Sequence, residues 1–532
     1  MDDLLIRGGV VLDGTGAPAR HADIAVRGDR IAAIEPGHLG PARRVVDASG
    51  HAVVPGFIDI KTHSDMTLPL YPRAESRVHQ GITTELVGSC GFTAAPIPPG
   101  RLGAVADYLR ALTTLTLRET TFAAYLESFP ATSVNVAMQV GHNTIRVAVM
   151  GLDDRPPSAQ EQAMMERLVE EALDAGAVGV SSGPFTPPGA FAAPEELEAL
   201  ARVAARRGAS YATHVRDESS NVFEALREAI AVAERTGVRT RVVHAKVSGT
   251  GRWGGAPRFL SELASARERG LPIDCDHYPY TTAVNPLRNI LPAWVQQGGP
   301  ARMLQRLGDS AARDDIRREI AARGLNAFGH IPSWDAIRIT VSPAGSDEVG
   351  RTLADIAVRR GCDPIDALCA ILVADGGATR GLITAMHEED VRAFVGCPWV
   401  LVGSDGRAFG PDGPLARELP HPRFYGTFPR VVGHYARDLG LLTLPQAIHK
   451  MTGASATALG LKDRGVLRPG AAADIVVFDP DSIAERRTVD EPRHYPAGVG
   501  YVIVNGVVVI DAGAHTGALP GRVLRRTAAG VA

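Results

Sequence analysis

From Val53 to Asp65 the chain reads V-V-P-G-F-I-D-I-K-T-H-S-D. Its apolar half has the pattern of a buried strand, and Lys61, Thr62, His63 and Ser64 crowd the carboxyl end. Residues two apart on a strand point the same way, so Lys61 and His63 share one face while Thr62 turns to the other. Taken alone, the stretch is equally well a strand running into a loop beside a satisfied histidine. The rest of the chain decides between these readings.

Seven further β-rich runs follow, and most end on a polar group. They are T-T-E-L-V-G-S-C to Cys90, N-V-A-M-Q-V-G-H to His142, A-V-G-V-S-S-G through Ser182, S-Y-A-T-H to His214, R-V-V-H-A-K to Lys246, P-I-D-C-D-H-Y to Tyr278 and P-W-V-L-V-G-S-D to Asp405. Helical patterns separate several of them. The clearest has Ser158 and Glu161 as a capping box, Met165, Leu168, Ala172 and Leu173 as an apolar stripe, and Gly176 as a stop. Eight strands alternating with helices predict an α/β fold, a (β/α)8 TIM barrel over 55–465, with its site at the carboxyl ends of the strands.

The two ends of the chain follow a different rhythm. Up to about His51 the sequence is short strands with turn punctuation, and the pattern returns in A-D-I-V-V-F-D (Ala473 to Asp479) and Y-V-I-V-N-G-V-V-V-I (Tyr501 to Ile510). Asn505-Gly506 between two β-branched runs is a hairpin signal. The segments 1–54 and 466–532 are therefore expected to form one small β-sandwich domain, since edge strands left unpaired invite aggregation. The stretch between the seventh and eighth barrel strands is too long for one crossover. It predicts an insertion at about 285–345 and helices near 352–360, 364–374 and 388–395, either covering the pocket or only packing beside it. A Gly- and Ala-rich tail after Val523 is expected to be mobile.

Composition narrows the function. A chain of 532 residues with a net charge of −3 suggests neither a nucleic-acid nor a membrane surface, and no apolar run is long enough to span a bilayer. The acidic start M-D-D-L-L lacks the basic residues and apolar core of a signal peptide. Five scattered cysteines (Cys90, Cys275, Cys362, Cys369 and Cys397) without C-x-x-C spacing fit a reducing cytoplasm. The expected partner is a small molecule; oligomeric state is beyond the sequence.

A thiolate and imidazoles at a barrel mouth suit zinc, which prefers Cys and His and keeps an open position when catalytic. Cys90, His214 and His244 meet that count. Singly, each also reads as a buried Cys or a core His; together, at three strand ends, they point to a metal. Asp405, at the tip of the last strand, is placed to take a proton from a zinc-activated water, although S-D-G also reads as an ordinary turn or helix cap.

P-G-F-I-D-I-K-T-H-S-D, V-G-S-C-G-F, T-H-V-R-D-E, V-V-H-A-K-V-S-G, G-S-D-G, P-H-P-R-F-Y-G-T-F-P-R and K-M-T-G-A-S-A together resemble the D-aminoacylase (N-acyl-D-amino-acid deacylase) branch of the amidohydrolase superfamily, in order and over nearly the whole chain. The resemblance implies a zinc held by Cys90, His214 and His244, with Asp405 as acid/base and His63 beside it. It also implies that Arg423, Lys246 and Tyr278 receive the substrate's α-carboxylate; Arg pairs with a carboxylate in bidentate fashion, while the plainer reading of Arg423 is a surface ion pair. His142, in V-G-H-N-T-I-R, matches a family motif without an assigned role.

Three departures stand out. The superfamily's first strand usually carries H-x-H, and here the first position is Lys61. An ammonium about 5 Å from a second metal would be repelled by roughly 3 kcal/mol per unit of metal charge at an effective dielectric near 20, so one zinc per chain is expected. In the favoured reading, Lys61 fills the second-metal space and keeps Asp405 ionised; the alternatives are a solvent-facing or merely structural Lys61. Thr186 stands where the family often has a carboxylate-contacting Tyr, and the loop from Asp405 to Arg423 is longer than usual. The expected activity is zinc-dependent hydrolysis of N-acyl-D-amino acids, with the D configuration carried by resemblance alone. The alternatives are another amide, such as a cyclic, dipeptide-like or secondary-metabolite amide, or a catalytically silent scaffold.

Overall fold

Runs of buried Val, Ile and Ala become strands when each backbone finds a neighbour, and all eight expected runs do so in the computed structural model. The structure describes residues 1–38, 40–486, 491–527 and 530–531. In chain order the barrel strands are β1 (Phe57–Asp59), β2 (Ile82–Val87), β3 (Asn135–Gly141), β4 (Gly179–Ser182), β5 (Ser210–Thr213), β6 (Arg239–Val242), β7 (Ile273–His277) and β8 (Leu401–Val402). Each pairs in parallel with the next. A parallel bridge between Thr62 and Gly406 joins the first strand to the last and closes the ring. The capping box at Ser158 and Glu161 starts the helix Ala159–Asp174, whose Met165, Leu168, Ala172 and Leu173 are buried as the periodicity requires.

A fully buried arginine locks the closing seam. Arg77 donates to Glu85 on β2 at 2.9 Å, to Asp59 on β1, to the Ser404 hydroxyl just after β8 at 2.7 Å and to the Phe424 carbonyl at 3.1 Å. A buried cation is tolerated only when its donors are matched, and here four groups from four segments match them.

The terminal segments join in one hydrogen-bonded sheet. It runs from Ala514–His515 through Val507–Asp511, Val499–Val504, Ile475–Phe478, Ala52–Pro55, Asp2–Val11 and Arg20–Arg27 to Arg30–Glu35. The sheet forks at Asp2–Val11: the first half of that strand pairs with Ala42–Asp47, and Val10 and Val11 pair with Ala52 and Val53. Ile6, Ile24 and Val46 share one apolar core with Ile475, Val477 and Ile503, so residues from both chain ends bury the same surface. Asn505 and Gly506 both take positive φ, 47° and 79°, as the tight hairpin turn demands.

Two expectations are corrected. The segment between β7 and β8 does not end near 345. Thr282–Pro286 pairs antiparallel with Arg380–Thr384, which pairs with Ile337–Val341, and this sheet ties 282 to 384 as one unit with the helices Pro300–Gly308, Ser310–Arg323, Leu353–Arg360 and Pro364–Ala374. Its apolar side packs with Cys90, Phe92 and Phe185, and so against the mouth of the barrel. The tail is also anchored. Val523 and Leu524 pair with Val136 and Ala137 of β3, and Arg526 donates to the carbonyls of Leu173, Ala177 and Arg207. Residues 528, 529 and 532 of that tail lie outside the described residues. No helix among the described residues is long and apolar enough to cross a membrane.

Candidate metal and catalytic site

The carboxyl ends of the strands surround a cavity lined by His63, Cys90, His214, His244, Asp405 and Arg423, with Phe92, Phe185, Asn289, Arg380 and Arg407 among the other walls. Cys90, His244 and Asp405 all lie in the left-handed backbone region, with φ of 55°, 37° and 50°. Residues with a Cβ seldom take that region, and such outliers gather at functional sites. Here each turns the chain sharply off its strand, so that its side chain faces the mouth.

Cys90, His214 and His244 each offer a ligand atom within 4.8 Å of the other two, and all three are buried. Sγ of Cys90 lies 3.3 Å from Nε2 of His244. The His214 ring stacks on Phe185 at 3.6 Å, and its buried Nδ1 makes no hydrogen bond of standard geometry among the described residues. Burial pushes the Cys90 thiol up, but the Lys61 charge and His214 outweigh it and hold the thiol below its usual range. Burial, with the charges of Lys246 and Lys61, holds the His244 imidazole well below its usual value and therefore neutral. A thiol biased toward thiolate, a neutral imidazole and an orphaned buried ring nitrogen are the donor states zinc takes, so the residues present fit the metal.

Behind the imidazoles stands Glu218, which sequence reading missed. One carboxylate oxygen lies 3.1 Å from His214 Nε2, 3.3 Å from His244 Nδ1 and 2.5 Å from Lys246 Nζ. Burial alone would push its carboxyl up; His214 and Lys246 hold it well below the usual carboxylate range. A carboxylate behind a metal-binding histidine orients the ring and raises its basicity.

At the closing seam, fully buried Lys61 contacts Asp405 Oδ1 and reaches His63 Nε2 at 2.9 Å. Arg423 Nη2 holds the other Asp405 oxygen at 2.6 Å. Burial and the charges of Lys61, Arg407 and Arg423 keep the His63 imidazole well below its usual value. A neutral ring that accepts from Lys61 at Nε2 has its proton on Nδ1, so it does not donate to Asp405; it holds Lys61, and Lys61 holds the carboxylate.

The remaining expected residues divide. Arg423 lines the cavity, and its buried Nε and Nη1 make no hydrogen bond of standard geometry among the described residues. Tyr278 lies beneath it, with the guanidinium 4.7 Å from the ring centre, and Lys246 sits behind His244, 2.6 Å from Nδ1. Neither Tyr278 nor Lys246 is among the lining residues. Thr186 acts through a neighbour, donating to Asn289 Oδ1 at 2.9 Å. His142 is buried against Glu196 at 2.7 Å, outside the cavity. The long loop after Asp405 brings Glu418 to Arg380.

Comparison with known proteins agrees with this architecture. The model of the amidohydrolase family matches residues 44–510. The N-acyl-D-glutamate deacylase of Alcaligenes xylosoxydans xylosoxydans is 39% identical over 528 residues, which is 99% of this chain and 97% of that one. The crystal structure of N-acyl-D-glutamate deacylase from Bordetella bronchiseptica, complexed with zinc and a phosphonate mimic of the tetrahedral intermediate, superposes with a TM-score of 0.83 at 38% identity, covering 98% of this chain and 99% of that one. A D-aminoacylase structure, described for a binuclear centre with one-metal activation and second-metal attenuation, gives 0.83 at 34% identity over 99% of this chain and all of that one. The chain belongs to the amidohydrolase family, in its D-aminoacylase (N-acyl-D-amino-acid deacylase) branch.

Proposed function

We propose that this protein hydrolyses the amide bond of N-acyl-D-amino acids, releasing a carboxylate and a free D-amino acid, with one zinc ion per chain held by Cys90, His214 and His244. The observation that carries the reading is the convergence of that ligand trio, Asp405 and Arg423 on one cavity, in a chain so similar to deacylases of this substrate class. Zinc, when bound, supplies a Lewis acid for the scissile carbonyl and the attacking water.

The chain's own residues do the rest. Asp405 accepts the proton of the attacking water and returns it to the amine nitrogen as the C–N bond breaks. Lys61 and Arg423 grip one carboxylate oxygen each, which favours the ionised form that acts as base and fixes where its free lone pairs point. Arg423, set over the Tyr278 ring, turns its remaining donors toward the substrate's α-carboxylate. Lys246 keeps Glu218 ionised behind the two histidines. The single ion follows from Lys61, whose ammonium occupies the place where H-x-H enzymes present a first-strand imidazole.

Elemental analysis of protein purified without chelator, paired with hydrolysis of N-acetyl-D- and N-acetyl-L-amino acids, tests the reading. About one zinc per chain with turnover of D substrates is expected. Two metals would refute the role given to Lys61, and one metal with no turnover of any D substrate would refute the substrate class.

A further inference from the structure

The cavity has a second cationic pole that the chemistry above does not use. Arg380 and Arg407 line the reaction cavity, and the same two side chains line an adjoining cavity bounded by Met66, Thr113, Val341 and Leu415. They stand between the two spaces, with Leu112 shared by both walls. Arg380 has its own counter-ion in Glu418, delivered by the long loop after Asp405 and held there by Arg493, which donates to the carbonyls of Leu415 and Glu418. Arg407 is buried to 7% exposure and donates from Nη1 to the Leu112 carbonyl at 2.9 Å. Among the described residues no carboxylate lies within ion-pair distance of it.

The acidic group whose charge reaches Arg407 from nearby, besides Glu418, is Asp65. Burial pushes the Asp65 carboxyl up to about 7, so near neutrality it supplies only part of a counter-charge. A desolvated guanidinium without an anion is costly, and its planar fork matches a carboxylate better than any neutral group. An arginine kept at that cost on a cavity wall, beside a second arginine already neutralised, is a vacancy for an anion that arrives with the ligand.

Resting on the deacylase reading, we infer that the preferred substrate is dianionic: besides the α-carboxylate met by Arg423, it carries a second carboxylate, on its side chain or on its acyl group, which Arg407 receives with Arg380 beside it. An apolar arm in the same place would leave Arg407 buried and unpaired, so neutral substrates are disfavoured for the reason that strands any buried polar group.

The test uses the zinc-loaded enzyme and four substrates: N-acetyl-D-glutamate, N-acetyl-D-aspartate, N-succinyl-D-leucine and N-acetyl-D-leucine. At least one of the first three is expected to exceed N-acetyl-D-leucine in kcat/KM by about 30-fold or more, the lower end of what a buried charge pair contributes. Preference for the first two places the anion on the side chain; preference for the third places it on the acyl arm. In Arg407→Met the dianionic-to-neutral ratio is expected to fall to within about 3-fold of unity, and a ratio is insensitive to partial misfolding. Two results would overturn the inference: N-acetyl-D-leucine as the best substrate of the unmodified enzyme, or an unchanged ratio in Arg407→Met, which together with an equal loss on all four substrates would assign Arg407 to the α-carboxylate. Both leave the deacylase reading standing. Turnover of none of the four removes that reading and this inference with it.

Discussion

The ammonium of Lys61 touches the carboxylate of Asp405 across 344 positions of sequence, and the backbone repeats the pairing, with the Asp405 N–H donating to the Lys61 carbonyl at 2.9 Å. The first and last barrel strands thus meet through both main chain and side chain. Because the contact is built into closure of the barrel, Lys61 is neither solvent-facing nor free to move away from the proposed base.

Asp405→Asn keeps the shape and removes the basic lone pairs. Turnover should fall by about 10³-fold or more, within the range for a lost general base, while zinc content stays near one per chain. Measured activity within ten-fold of the unmodified enzyme would take the base role away from Asp405.

Lys61 separates two effects. Lys61→Met should lower kcat by about 10- to 100-fold, as Asp405 loses one of its two cations, without loss of zinc. Lys61→His restores H-x-H and removes the charge that repels a second ion, so bound metal should rise from one to two per chain by elemental analysis. A stoichiometry that stays at one would mean that something other than Lys61 excludes the second ion.

Arg77→Met leaves Asp59 and Glu85 buried without their cation. Loss of one partner of a buried ion pair costs about 3–5 kcal/mol, and chemical denaturation at pH 7 should show a loss of that size. Burial already pushes Glu85 up to about 6, so at pH 5 the group is neutral and the loss should shrink. An equal loss at both pH values would argue that Arg77 acts through packing.

Asp65 gives a pH signature of its own. Its carboxyl is raised by burial from 3.8 to about 7, so the folded state binds more protons than the unfolded state between those values, and stability falls as pH rises through that window. Asp65→Asn removes the titration. Relative to the unmodified protein, its unfolding temperature should improve between pH 5 and pH 8, by the equivalent of about 1–4 kcal/mol. A difference that does not change with pH would contradict the assignment.

The sequence by itself determined the barrel and the identity of its tips. Strand periodicity and turn residues are local properties, so β1 to β8, the hairpin at Asn505-Gly506 and the helix capped by Ser158 were all legible. Cys90, His214, His244 and Asp405 were legible too, because each ends a strand and a parallel barrel brings its strand ends to one mouth.

What the tertiary structure alone decided depends on distance in space. Glu218 follows His214 by four residues, but the intervening loop has no period that would say its carboxylate turns back beneath two histidines. Lys246 alternates with His244 on paper, yet packing takes it behind the ring to Glu218 instead of onto the cavity wall. The sheet joining Thr282–Pro286 to Arg380–Thr384 links segments about a hundred residues apart, and so brings Arg380 to the site. The charge left over on Arg407 is the clearest case. Which arginine finds a carboxylate and which does not is a property of burial and neighbours, and no spacing of residues along the chain encodes it.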